Sequence, residues 1–233
     1  MTRKIDNVPR EVFDTSKSKR RKYQALAVGQ LGLWALIKYE LIITLASPLP
    51  GALGLFLRSR LYPLLLGKCG RNVFFGSNVT LRHPHKIRIG SNVVIDDGCV
   101  LDAKGSSNTG ITIGNDVFIG RQTSINTKDG DIVLEDGVNI GAFCMVFSAS
   151  HVRCGTNTLI AAYTYLVGGD HDMTSTDSAI VSQDRPSTGI TVGSSGWIGT
   201  GVSILDGVCI GHDVVIGANS VVTHDLEDFA VAV

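Results

Sequence analysis

Residues 192–223 read VGSSGWIGTGVSILDGVCIGHDVVIGANSVVT, and the spacing of their aliphatic residues decides the fold. Val192, Ile198, Ile204, Ile210, Ile216 and Val222 stand six apart, with Gly193, Gly199, Gly211 and Gly217 directly after four of them. Four places beyond successive aliphatics come Gly196, Val202, Val208, Val214 and Ser220, all small or β-branched. A helix repeats every 3.6 residues and a strand every two, so a period of six belongs to neither. It is an internal repeat, and three such units close a triangular coil of roughly eighteen residues. The aliphatic residue points inward, the next residue opens the corner, and the small residue also faces inward. Coils then stack about 4.8 Å apart through strand-type hydrogen bonds.

The same phase recurs upstream as Ile89, Ile95, Leu101, then Ile113, Ile119, Ile125, then Leu134, Ile140, Val146, then Ile160, Leu166. It slips between Leu101 and Ile113, Ile125 and Leu134, Val146 and Ile160, and Leu166 and Val192, where loops are expected to leave the coil. The last loop, 168–190, is the longest, and insertions of this kind build the binding face of solenoids. Composition agrees, because 27 glycines in 233 residues and only 6% aromatics suit tight turns between short strands better than a helical bundle.

Lys and Arg total 21 against 21 Asp and Glu, so no basic field points to nucleic acid. Five cysteines without CxxC spacing argue against a disulfide scaffold or zinc site and for a reducing compartment. Only 18% of residues are charged and mean hydropathy is +0.21, and the apolar excess is local. Tyr23 to Ile37 and Leu41 to Leu57 carry no charge. Taken as one helix, Tyr23 to Ala46 has the length of a membrane span or a deeply seated interfacial helix. The run Lys17-Ser18-Lys19-Arg20-Arg21-Lys22 precedes it and suits an anionic cytoplasmic leaflet. Pro48 and Pro50 end that helix, and Gly51 to Leu66, with Arg58 and Arg60, reads as a second, interfacial one. The expected layout is a basic segment 1–22, an apolar helical membrane-associating region 23–69, and a coil stack 70–233. Residues 17–66 would hold the protein at the cytoplasmic face of the membrane. A helical cap packed on the rest of the chain is the competing reading.

Two further stretches carry a resemblance. Gly168-Gly169-Asp170-His171-Asp172-Met173 is similar to the catalytic-histidine segment of sugar and xenobiotic O-acetyltransferases. Gly196-Trp197-Ile198-Gly199-Thr200 with Val215 to Thr223 is similar to their acyl-CoA stretch. With the repeat, they resemble the hexapeptide-repeat acyltransferases, whose sugar and polysaccharide branch implies a homotrimeric left-handed parallel β-helix using acetyl-CoA. The resemblance implies His171 as general base and no covalent intermediate. Trp197, Gly199, Thr200, Ala218 and Thr223 would line an acyl-CoA groove between subunits, with no metal.

Asp170 and Asp172 are candidates for orienting the imidazole or gripping the acceptor. His151 and Ser148, about one coil earlier, are candidates for the acceptor pocket. His83 and His85, flanking Pro84, read as a solvated turn, and the five cysteines as small core residues. A neutral imidazole suits deprotonation of a weak hydroxyl nucleophile near pH 7. The implied function is O-acetyl transfer to a cell-envelope or exopolysaccharide sugar, lipid-linked. The alternatives are a γ-type carbonic anhydrase, for which the histidine spacing is wrong, and a non-catalytic trimeric scaffold.

Overall fold

Each coil is three short extended segments and three corners, in a computed structural model that describes residues 14–169, 183 and 186–233. Strands of like position pair in parallel from coil to coil. The first sheet has seven strands, from Lys68–Cys69 to Cys209–Ile210; the second has eight, from Phe74–Phe75 to Val231–Ala232; the third has seven, from Thr80–Arg82 to Val221–Val222. Seven coils and part of an eighth result. Register lines up residues of one phase: Phe75, Ile95, Ile119, Ile140, Ile160, Ile198 and Ile216 descend the second sheet, all buried. Burying each such side chain contributes roughly 1.5–3 kcal/mol, so the column is a main source of stability.

Two expectations are refined. The slip between Val146 and Ile160 holds no missing layer, because Cys154 takes the aliphatic place, fully buried in register with Leu134 and Val192. Coils of eighteen residues are also not general: Ile198 and Ile216 are eighteen apart, but Ile95 and Ile119 are twenty-four apart. The surplus gathers at one edge of the prism, where the chain passes from the third sheet to the first, at 82–87, 102–111, 127–131, 148–151 and 168–190. The edge from first to second sheet is held tight. There Asn72, Asn92 and Asp116 adopt left-handed backbone angles, and their side chains form a ladder, Asn72 Nδ2 to Asn92 Oδ1 at 3.1 Å and Asn92 Nδ2 to Asp116 Oδ1 at 3.0 Å.

The N-terminal segment is not one helix from Tyr23 to Ala46. Helix α1 (Lys19–Tyr23) runs into a π-helical turn, Gln24–Val28, and Gly29 at φ +73° and Gly32 at φ +126° break the chain before α2 (Leu33–Ala46). The two halves are bent by 62°. No single helix among the described residues is long and apolar enough to cross a membrane; this bent pair qualifies by length and composition only. Helix α3 is Gly51–Leu61.

These helices cover the open end of the first coil. Tyr39 donates to the Leu81 carbonyl at 2.8 Å, and the Tyr62 ring meets Phe75 edge-on at 5.2 Å. Arg58, expected at an interface, is instead buried: Nε donates to Phe75 O at 2.8 Å and Nη1 to Ala46 O at 3.1 Å. Charge-assisted bonds of this kind offset the burial of the guanidinium. His83 is likewise buried rather than solvated. Its backbone N–H donates to Ala27 O at 2.8 Å, its Nε2 lies 2.9 Å from Ala25 O, and its Nδ1 is 3.5 Å from the Asp102 carboxylate. Burial holds the neighbouring His85 below the usual histidine range.

A Cβ at Gly29 would strike the rings of both His83 and His85, at a backbone angle that side chains rarely adopt. Gly29→Ala should therefore cost roughly 1–3 kcal/mol. Hydrogen exchange should accelerate across Leu33–Ala46 while the coils keep their protection. Unchanged exchange there would mean that the histidine contacts do not hold the cap.

Candidate active site

Two edges of the prism depart from the repeat, and they flank the third sheet. The edge from third to first sheet carries the insertions. Its longest one leaves after Tyr165–Gly168 and returns at Ile190–Val192. His171, Asp170 and Asp172 lie outside the described residues, but both roots of their loop are defined. On the outgoing side, a Cβ at Gly168 would strike Phe147 O and one at Gly169 would strike Ala149, so glycine lets the chain leave closely packed on the coil beneath. On the returning side, Asp206 accepts from Gly189 N at 2.8 Å, Thr188 N at 2.7 Å and Ser187 Oγ at 3.1 Å. Ser187 Oγ also lies 3.2 Å from Gly168 O and 2.8 Å from Ser150 Oγ, which brings the two roots together. His151 is exposed and packs its ring on Gly189. It therefore stands at the loop root, on the outside of the coil.

Ser148 does not stand with it. Its side chain is fully buried inside the coil and donates to Asp131 O at 2.8 Å, so the hydroxyl cannot meet an acceptor on the surface. The buried thiols are equally withdrawn. Burial pushes Cys99 up to about 11 and Cys154 up to about 12, which leaves neither as a thiolate near neutral pH. Cys209, expected in the core, is exposed. Among the described residues no three His, Cys, Asp or Glu side chains gather to hold a metal ion.

The edge from second to third sheet gathers four of the five residues expected around acyl-CoA. Trp197 projects outward and is 54% exposed, in register with Leu159 and Val215. Thr200 is exposed, but its hydroxyl donates to Ala162 O at 2.7 Å, within the coil stack. Gly199 is buried, and a Cβ there would lie 2.7 Å from Ile216 O and 2.8 Å from Ala218 N. Its smallness is thus demanded by coil stacking. Ala218 is exposed on the same edge one coil on, whereas Thr223 follows the last strand of the third sheet and lies towards the other edge.

One feature of this edge was not singled out in the sequence. Phe143 and Tyr163 occupy successive corners with φ of 58° and 62°, and their exposed rings stack at 5.2 Å and 5°. The same corner holds Asn78, Gln122 and Asn219 in other coils, so aromatic residues in the asparagine place were the available signal.

No family model matches the chain. The dTDP-4-amino-4,6-dideoxy-D-glucose acyltransferase of Escherichia coli is 29% identical over 168 residues, 70% of this chain and 76% of that protein. WbbJ of Escherichia coli K12, named for O-acetyl transfer in lipopolysaccharide biosynthesis, is 31% identical over 100 residues, 40% of this chain and 51% of its own length. The chain spans about half or less of the length of WbbJ and of Rv3034c from Mycobacterium tuberculosis, named as an acetyltransferase, to which it is 29% identical over 53% of this chain and 41% of that one. A solved complex of a variant of AntD, an N-acyltransferase from Bacillus cereus, with dTDP and coenzyme A superposes with TM-score 0.51 at 23% identity, covering 73% of this chain and 81% of that one. The fold is the left-handed parallel β-helix, and the resemblance to the hexapeptide-repeat acyltransferases read in the sequence is borne out.

Gly199→Ala separates packing from ligand contact. It should lower the melting temperature of the coil stack, by roughly 1–3 kcal/mol of stability, because backbone rather than a flexible side chain must move. Full stability with lost coenzyme A affinity would instead make Gly199 a ligand contact.

Proposed function

We propose, for a chain with the fold and relatives of the hexapeptide-repeat acyltransferases, that it transfers an acetyl group from acetyl-CoA to a sugar hydroxyl of a cell-envelope or exopolysaccharide acceptor carried on a lipid. The observation that carries the reading is the 168–190 insertion, pinned at both roots by Gly168, Ser187 and Asp206, with His151 beside it and His171 in its sequence. The names of WbbJ and of the dTDP-sugar acyltransferase support a sugar acceptor.

In this reading the His171 imidazole takes the hydroxyl proton as the oxygen attacks the thioester carbonyl. The tetrahedral intermediate then collapses with cleavage of the C–S bond, the acetyl ester forms, and the imidazolium returns its proton to the coenzyme A sulfur. No covalent enzyme intermediate arises. Asp170 and Asp172 orient the ring, and His151 contacts the acceptor.

The loop edge and the Trp197 edge lie on opposite sides of the third sheet, so one protomer does not bring them face to face. A site needing both is assembled between neighbouring copies, which supports the homotrimer. Attachment through residues 17–66 would place that trimer at the cytoplasmic face of the membrane, where acetyl-CoA is found.

His171→Ala should lower turnover by roughly 10²- to 10⁴-fold without loss of trimer or coenzyme A affinity. Trp197→Ala should weaken coenzyme A binding. Because each variant damages a different edge, mixed trimers of the two should regain activity above either parent. Wild-type turnover in His171→Ala would remove the proposed base, and absence of complementation would place both edges in one protomer's site.

A further inference from the structure

The capping helices are apolar on both faces, and only one face is used. Along α2, Tyr39, Ile42 and Ala46 pack on the first coil, while Leu33, Trp34, Ile37, Leu41 and Leu45 are exposed on the other side, Trp34 at 83%. Leu53 and Phe56 of α3 are exposed as well. An apolar surface of this extent is rare on a soluble monomer and marks an interaction face. Charge identifies the occupant. Residues 14–66 hold eight Lys and Arg against two Asp and Glu, in a chain whose formal net charge is zero. Of the two acids, Glu40 accepts from the Tyr23 hydroxyl at 2.5 Å and Asp14 accepts from Ser16 N at 2.9 Å and lies 3.8 Å from Lys17. Lys19, Arg20 and Arg21 of α1 are exposed.

We propose that this face is a monotopic seat for an anionic bilayer surface, with α2 and α3 lying in the plane of the interface and no part of them crossing it. The seat deepens the lipid-linked reading of the acceptor and rests on it only for that purpose. Spanning is incompatible with the packing, because it would strip Tyr39 and Arg58 from the carbonyls of Leu81 and Phe75. Leucines with Trp34 and Phe56 suit the headgroup boundary, and each basic residue near it strengthens the attraction to anionic lipid. The coil stack then stands away from the lipid. Four ladder steps separate Lys68–Cys69 from His151–Cys154 in the first sheet, so the loop root lies about 19 Å beyond the first coil. A lipid-carried acceptor that reaches it must be an oligosaccharide rather than a sugar joined directly to the lipid phosphate.

Flotation of the full-length protein tests the seat. It should float with vesicles of phosphatidylcholine and phosphatidylglycerol, at least roughly tenfold better than with phosphatidylcholine alone, and high salt should remove that preference for the anionic lipid. The double variant Trp34→Glu, Leu53→Glu should lose that binding while keeping its melting temperature and coenzyme A affinity. Flotation of the double variant like wild type, or wild type that floats equally well with and without the anionic lipid, would overturn the seat. So would wild type that ignores vesicles but dissociates to smaller oligomers in the double variant, since the face would then join two copies. Acetyl transfer to a lipid-linked oligosaccharide in detergent, measured on the same samples, reports on the enzyme reading separately: its absence with flotation intact would sink that reading and leave the seat.

Discussion

Each coil satisfies its backbone and fills its interior only through the coils above and below it. The first coil has no neighbour beneath, and its inward residues Phe75, Val79 and Leu81 would face water. A helical cap answers that need, and its chemistry shows the fit: side chains of Tyr39, Arg58 and Tyr62 donate to carbonyls of Leu81, Phe75 and Val79. Donors on long side chains do here what the next strand does elsewhere. The cap is therefore part of the fold's closure, and whatever its outer face does comes in addition.

The same dependence explains where the chain tolerates insertion. A residue added within a strand would shift every inward side chain outward, so extra length can enter only at corners. The edge from first to second sheet is closed in the first three coils by the Asn72, Asn92 and Asp116 ladder, and its later corners keep the same tight left-handed turn at Gly137, Asn157, Ser195 and Asp213. Length accumulates at the edge from third to first sheet, where carboxylates one coil on fasten the two longest loops: Asp129 on Ser106 and Asp131 on Thr109 and Gly110 hold 102–111, and Asp206 on Thr188 and Gly189 holds 168–190.

Much of this was legible in the six-residue phase, including the inward columns and the site of the long loop, because burial inside a narrow prism admits few residue types. Cys154 hid one layer, since a thiol fills an aliphatic place without looking aliphatic. The break at Gly29 to Gly32 was illegible because an apolar run has no internal punctuation other than glycine, and these glycines matter through contact with His83 and His85, remote in sequence. Arg58 was misplaced for a related reason. A cation beside leucines looks interfacial, and only the first coil's carbonyls make it a core residue. Ser148 was drawn towards the pocket by sequence proximity to His151, yet it ends its strand with the side chain inward, and His151 opens the next strand, past a corner, with its side chain outward. The proposed base rests on the motif alone, because His171 falls in a loop that carries no repeat to place it.

Chemistry is confined to edges by elimination. Inside the prism, thiols are held protonated by burial and hydroxyls such as Ser148 and Thr127 are committed to backbone carbonyls of adjoining coils, Asp131 O and Lys104 O. One edge is occupied by its ladder. Of the other two, one carries a clamped loop with a histidine at its root, and the other carries an indole and two aromatic rings held at left-handed corners. Such corners cost of the order of 1–3 kcal/mol for residues other than glycine or asparagine, and strain of that kind persists where the exposed side chain has a use. Phe143 and Tyr163 stack on the same edge as Trp197, whereas the one other aromatic ring at such a corner among the described residues, apart from the buried His83, is Phe229, which packs edge-on against His212 near the end of the stack.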